Sequence, residues 1–88
     1  MGVGRLIHVP NSFEIRERLS KNNINADIWW ELNKQQNNKL LEEFISLGKQ
    51  EICNKQFNYN VFLKIYEKKV ARYCKDIKMK YPKLILKP

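Results

Sequence analysis

Large apolar residues along this chain recur mostly at helical intervals, and two short apolar runs near the ends fall outside that rhythm. The first run, RLIHV at residues 5–9, is followed by Pro10, which stops regular continuation; it predicts a short strand or extended arm. Asn11 then opens a helix reaching to about Lys21. Its side chain is placed to accept from the amide of Glu14, and Glu14 to reach back and close a capping box. Phe13 and Leu19 are the expected inward residues of this helix. Asn25 marks a second helix start, with Asp27 well placed against the N-terminal dipole. If that helix ran on to Leu47, then Ile28, Trp29, Leu32, Leu40, Phe44 and Leu47 would share one broad face. The stretch NKQQNNK at residues 33–39 holds no large apolar residue, and a break there, with Asn37 or Asn38 as a fresh N-cap, fits nearly as well.

Gly48 is the candidate C-cap of that region, and KQEICNKQ (49–56) reads as one more helical turn carrying Ile52 and Cys53. The last helix begins near Asn58 or Asn60. It ends ahead of Pro82, because the residue before a proline is kept out of the α region. The second apolar run, KLILK at residues 83–87, is another candidate strand. The two ends either pair with each other or dock separately on the helices. The expected fold is mainly α: a compact bundle of three or four helices with a small two-stranded element from the termini. With 88 residues there is room for one core, hence a single domain.

Composition narrows the class. A hydrophobic fraction of 43% speaks against disorder. Cys53 and Cys74 are too few for a disulfide framework, the opening MGVGRLIHVP does not read as a signal peptide, and no run is long enough for a membrane span. A reducing, cytoplasmic setting is the expectation, or host cytoplasm or nucleus for a viral protein. Richness in Asn, Lys and Ile points to an AT-rich genome, such as that of a virus, a phage or a low-GC bacterium.

Charge changes the picture more. The net charge is +8, and residues 1–48 carry six basic and six acidic side chains, so all of it lies in residues 49–88. Such asymmetry points to an acidic partner: nucleic acid, an anionic membrane surface or an acidic protein patch. On the last helix, Phe62, Leu63, Tyr66, Val70, Tyr73, Cys74, Ile77 and Tyr81 cluster on one side at about 100° per residue. Lys64, Lys68, Arg72, Lys75 and Lys78 fall opposite, as one ridge, with Lys69, Lys80, Lys83 and Lys87 as flanks. Glu67 and Asp76 sit at its margins. Like charges four apart repel by roughly 0.2–0.5 kcal/mol per pair, and a helix built only for solubility interleaves Glu with Lys. A solvated lysine face in an AT-rich genome is the plain alternative. Thirteen lysines against four arginines favour phosphate contact over base readout, since Lys acts as a point charge where Arg offers a bidentate fork.

The remaining candidates are weaker. Adjacent Trp29 and Trp30 point about 100° apart on a helix, so Trp29 is expected in the core and Trp30 at its rim, where it offers a partner-binding hot spot. Tyr59, beside Phe57 in FNYN, is a candidate base-stacking ring. His8 is the only histidine and has no acid or Ser beside it in sequence, so it reads as structural. No CxxC or HxxxH spacing is present, and Cys53 and Cys74 read as small core residues, so neither a metal site nor a cofactor is expected. No catalytic group assembles. The leading expectation is a non-enzymatic nucleic-acid-binding protein, for RNA or DNA, that uses the cationic ridge with weak sequence preference. The alternative is a small viral or phage-type regulator that binds a host protein through Trp30 or the basic face.

Overall fold

The computed structural model describes residues 3–53 and 58–86. Within them the order is β1 (Val3–Ile7), α1 (Ser12–Lys21), α2 (Ala26–Gln35), α3 (Lys39–Ser46), β2 (Lys49–Cys53) and α4 (Tyr59–Lys80), closed by a single 3-10 turn at Pro82–Leu84. The four helices and one small antiparallel sheet realise the mainly α bundle that the periodicity predicts.

Helix α1 starts where the Asn11 side chain allows. Asn11 is extended, and its Oδ1 accepts from the Glu14 amide at 2.8 Å. The other half of the expected capping box does not form. The Glu14 carboxylate turns instead to His8 and Arg18. The inward pair is Ile15 and Leu19, four residues apart and both buried. Phe13, expected inward, is 74% exposed; two residues from Ile15 is about 200° round the helix, so the two cannot share a face.

The unbroken helix from Asn25 to Leu47 does not form. Asn25 caps α2 through bonds from the amides of Asp27 and Ile28, but the chain turns at Asn37 and Asn38, whose φ angles are 55° and 66°. Asn tolerates this left-handed region better than most residues. Asn38 occupies the cap position of α3 without capping it. That service comes from Asn33, which is buried: its Oδ1 accepts from the Leu41 amide at 2.7 Å, and its Nδ2 donates to Asn38 Oδ1 at 3.1 Å.

Residues 49–53 are a strand rather than a helical turn. β2 runs antiparallel to β1, with Arg5 opposite Glu51, Leu6 opposite Gln50 and Ile7 opposite Lys49. Gly48 is not a left-handed C-cap, since no described glycine has positive φ. Its role is close approach. Its carbonyl accepts from the His8 amide at 3.0 Å, and a Cβ at Gly48 would collide with the His8 carbonyl oxygen. The strand partner of β1 is therefore β2 and not the C-terminal run.

The described part of the C-terminal run, residues 83–86, docks separately. Pro82 starts the 3-10 turn, and the segment after it is held by the loop between α1 and α2. Asn25 N donates to Leu84 O at 2.7 Å and Leu86 N to Asn23 O at 2.9 Å, with a lone antiparallel bridge between Ile24 and Ile85. Leu84 is fully buried. The core it joins is formed by Ile15, Leu19, Ile24, Trp29, Leu32, Leu40, Phe44, Phe62, Tyr66, Val70, Cys74 and Ile77. Trp29 sits at its centre, edge-on to Phe44 at 6.0 Å between centroids, and its indole N–H donates to the Tyr73 hydroxyl at 3.2 Å.

Candidate nucleic-acid interface

The longest element carries the charge. Asn58 caps α4 by accepting from the amides of Asn60 and Val61. The helix then runs 22 residues, about 33 Å at 1.5 Å per residue, until Pro82 stops it. Phe62, Tyr66, Val70, Cys74 and Ile77 are its buried positions. They fix its rotation about its axis, and so fix what faces outward. Burial pushes the Cys74 thiol up to about 12 despite the nearby charge of Lys78. Cys74 is thus an inert core residue, as the sequence indicates. The Cys53 side chain, Phe57 and Lys87 lie outside what the structure describes.

Lys64, Lys68, Arg72 and Lys75 are all exposed on the side of α4 opposite the core, and none takes part in an ion pair among the described residues. Lys78 stands apart. It is half-buried, and its Nζ donates to the Asn22 carbonyl at 2.7 Å, at the C-terminal end of α1 where a cation is favoured by the helix dipole. Of the flanks, Lys69 reaches the Lys49 carbonyl at 3.4 Å. The Lys80 ammonium lies 5.9 Å from the Tyr81 ring centroid, and Lys83 is exposed on the 3-10 turn.

The two acids of α4 sit at the margins of the ridge, each lining a cleft beside it. Glu67 shares a small cleft with Arg18, Lys21, Asn22 and Val70. Asp76 lines a groove of about 310 Å³ between α3 and α4, together with Lys39, Glu43 and Lys80. The row from Lys64 to Lys75 covers twelve residues, eleven rises or about 16 Å of helix.

Tyr59 and Trp30 are not on this row. Tyr59 is 58% exposed, but its ring leans toward Phe62, 6.3 Å away between centroids. It belongs to the end of α4 whose Phe62 and Tyr66 rings meet His8. Trp29 is fully buried and Trp30 half-buried, edge-on to Trp29 at 4.9 Å. The Trp30 indole nitrogen is itself buried, with no hydrogen-bond partner among the described residues. What Trp30 offers outward is a ring edge without its polar handle.

Sequence spacing gave no sign of a cluster around His8. The imidazole Nε2 lies 2.8 Å from Glu14 Oε2, and Arg18 Nε donates to the same oxygen at 3.2 Å. The His8 ring meets the edges of Phe62 and Tyr66, whose rings stack on each other, and the Arg18 guanidinium lies 4.7 Å over the Tyr66 ring. Partial burial alone would raise the Glu14 carboxyl. The hydrogen bonds and charges of His8 and Arg18 outweigh it and hold the group below its ordinary range. The Glu14–Arg18 half of this cluster is legible as an i,i+4 pair. The His8 half, absent from any sequence neighbourhood, needs β1 laid across α1 and α4. Its partners are packing partners, and no nucleophile stands within the cluster. Among the described residues no group of three or more His, Cys, Asp or Glu side chains is placed to hold a metal ion, and no helix is long and apolar enough to cross a membrane.

No protein-family model, curated protein or solved structure matches this chain. What it does has to be read from its own residues.

Proposed function

We propose that this protein is a non-enzymatic nucleic-acid-binding protein that grips phosphate backbones with the α4 face bearing Lys64, Lys68, Arg72 and Lys75. The observation that carries the reading is the row itself: four exposed cations on one rigid helix, with the two acids of that helix turned to its flanks. Duplex DNA presents one charge per about 1.7 Å of axis, so a 16 Å row faces roughly ten phosphate charges and every cation has one to neutralise. A face of this kind positions a backbone without reading bases. Lys78, tied to Asn22, contributes field rather than a free contact.

The test is salt-dependent binding. With four phosphates engaged, log K against log salt is expected to fall with a slope of about −3.6 on duplex DNA and less steeply on single strands. Changing Lys68, Arg72 and Lys75 together to Gln should flatten the slope and weaken binding alike on every sequence, while leaving the melting temperature nearly unmoved. Absence of binding at about 50 mM salt, or a triple variant that unfolds, would overturn the reading and turn attention to a protein partner.

A further inference from the structure

The C-terminal end of α4 carries a feature that phosphate binding does not use. Asn23, Lys75, Lys78, Met79, Pro82 and Ile85 line a shallow groove of about 330 Å³. Met79 is 74% exposed there, and Ile85 and its neighbour Leu86 are each 40% exposed. The groove is preformed: the segment that supplies its far wall is fixed to the α1–α2 loop by the bonds of Leu84 and Leu86 to Asn25 and Asn23. Two lysines line it and no carboxylate does. Lys78 gives one hydrogen to the Asn22 carbonyl, and an ammonium has three to give.

We propose that this groove binds an acidic amphipathic segment of a protein partner. Its apolar side chains would lie over Met79, Pro82 and Ile85, and its carboxylates against Lys75 and Lys78. Charge complementarity selects the acidic character, and the apolar floor selects the amphipathic one, because a phosphate backbone gains nothing by covering aliphatic surface. The floor holds no aromatic ring on which a base would stack. Its lining carries no Trp or Tyr, the residues that seat a protein at a bilayer interface. Met79 is the residue type that adapts its packing to a partner. The site borders the phosphate ridge, shares Lys75 with it and draws on the field of Lys78, and its apolar surface at Met79, Pro82 and Ile85 is what the ridge does not use.

The experiment is an amide chemical-shift titration of the full chain with three probes. One is a short synthetic helix-forming peptide with Leu at positions i and i+4 among Asp and Glu. The second is the same composition with its leucines scattered, and the third is a vesicle rich in phosphatidylserine. The expected result is that the first peptide moves the amides of Asn23, Lys75, Met79 and Ile85 and the second binds much more weakly. Met79→Gln, which adds no charge beside Lys75, should weaken the first peptide by about tenfold or more, as truncating an interface anchor does, and leave duplex DNA affinity within about twofold. Lys68→Gln should do the reverse. Since Met79 is exposed, Met79→Gln should melt with the wild type, and Met79→Ser serves as a second uncharged variant. Equal binding of both peptides, shifts spread along Lys64 to Arg72 instead, or a vesicle affinity that Met79→Gln abolishes while neither peptide binds would each overturn the proposal. Loss of DNA binding with peptide binding intact would count against the ridge and not against the groove.

Discussion

Single side chains in this protein take roles that their sequence neighbours do not announce. Glu14 looks like a capping-box residue, yet it bridges Arg18 on its own helix to His8 in the segment after β1. Because its carboxyl is held below the ordinary value of 4.5, its contribution to stability is fully present above that value. The contribution is lost as pH falls through the lower folded-state value. Thermal melts of wild type and Glu14→Gln between about pH 5.5 and about pH 2.5 should therefore differ most at the upper end and converge at the lower. A difference that stays constant across this window would mean that the carboxylate charge is not what matters. Tyr66 offers a second test at this scale. Its hydroxyl is buried without a hydrogen-bond partner among the described residues, and burial raises its pKa to about 12 although the Arg18 charge works the other way. An unmade hydrogen bond costs about 1–3 kcal/mol in desolvation, so Tyr66→Phe should leave stability unchanged or raise it by about 1 kcal/mol in urea unfolding. A clear loss would reveal a partner for that hydroxyl.

At the scale of elements, the break between α2 and α3 carries the most information. Residues 34–39 bury no side chain, so α2 gains nothing by continuing past Gln35, and two asparagines accept the left-handed turn. Asn33 makes the break specific by capping α3 from inside the core. Asn33→Ala would leave the Leu41 amide without its acceptor and Asn38 without its donor. A loss of about 1–3 kcal/mol is expected, read as a lower urea midpoint with unchanged m-value. Asn33→Asp keeps the acceptor and should lose the Asn38 bond alone if the added charge is tolerated, which separates capping from packing. A neutral Asn33→Ala would mean that the turn is set by Asn37 and Asn38 by themselves. β2 shows the converse. Its residues have no strong preference of their own, and the close passage of Gly48 beneath His8 brings them alongside β1.

Across the whole molecule, the C-terminal segment closes the bundle. Leu84 is fully buried, and its carbonyl accepts from the Asn25 amide at the start of α2. Leu84 thus holds the N-cap of a helix 59 positions earlier in the chain. Leu84→Ala should cost about 2–5 kcal/mol, a large share of the 5–15 kcal/mol typical of a domain, and should lower the melting temperature by well over the few degrees that a surface change produces. A variant that melts like wild type would show that the tail adds little to the core. The contrast with the ridge is direct: five α4 positions are buried in the bundle, while the four cations opposite them are exposed, so replacing those is expected to leave the bundle folded.

The sequence by itself determined the helical class, the starts of α1 and α2 at Asn11 and Asn25, that of α4 to within Asn58 or Asn60, the stop at Pro82, the burial of Trp29 and Cys74, and the side of α4 on which the cations lie. These follow from local chemistry: capping, the proline ring and a helical period long enough to average out exceptions. Only the tertiary structure decided that Phe13 points outward and Ile15 inward, that residues 49–53 extend and pair with β1, and that residues 83–86 turn and dock instead of forming a strand. The same holds for Glu14 serving His8, and for Lys78 leaving the ridge for the Asn22 carbonyl. Each depends on a neighbour distant in sequence, whose position no periodicity encodes. The groove over Met79 and Ile85 belongs to that second group, since its two walls are joined only where the tail meets the α1–α2 loop.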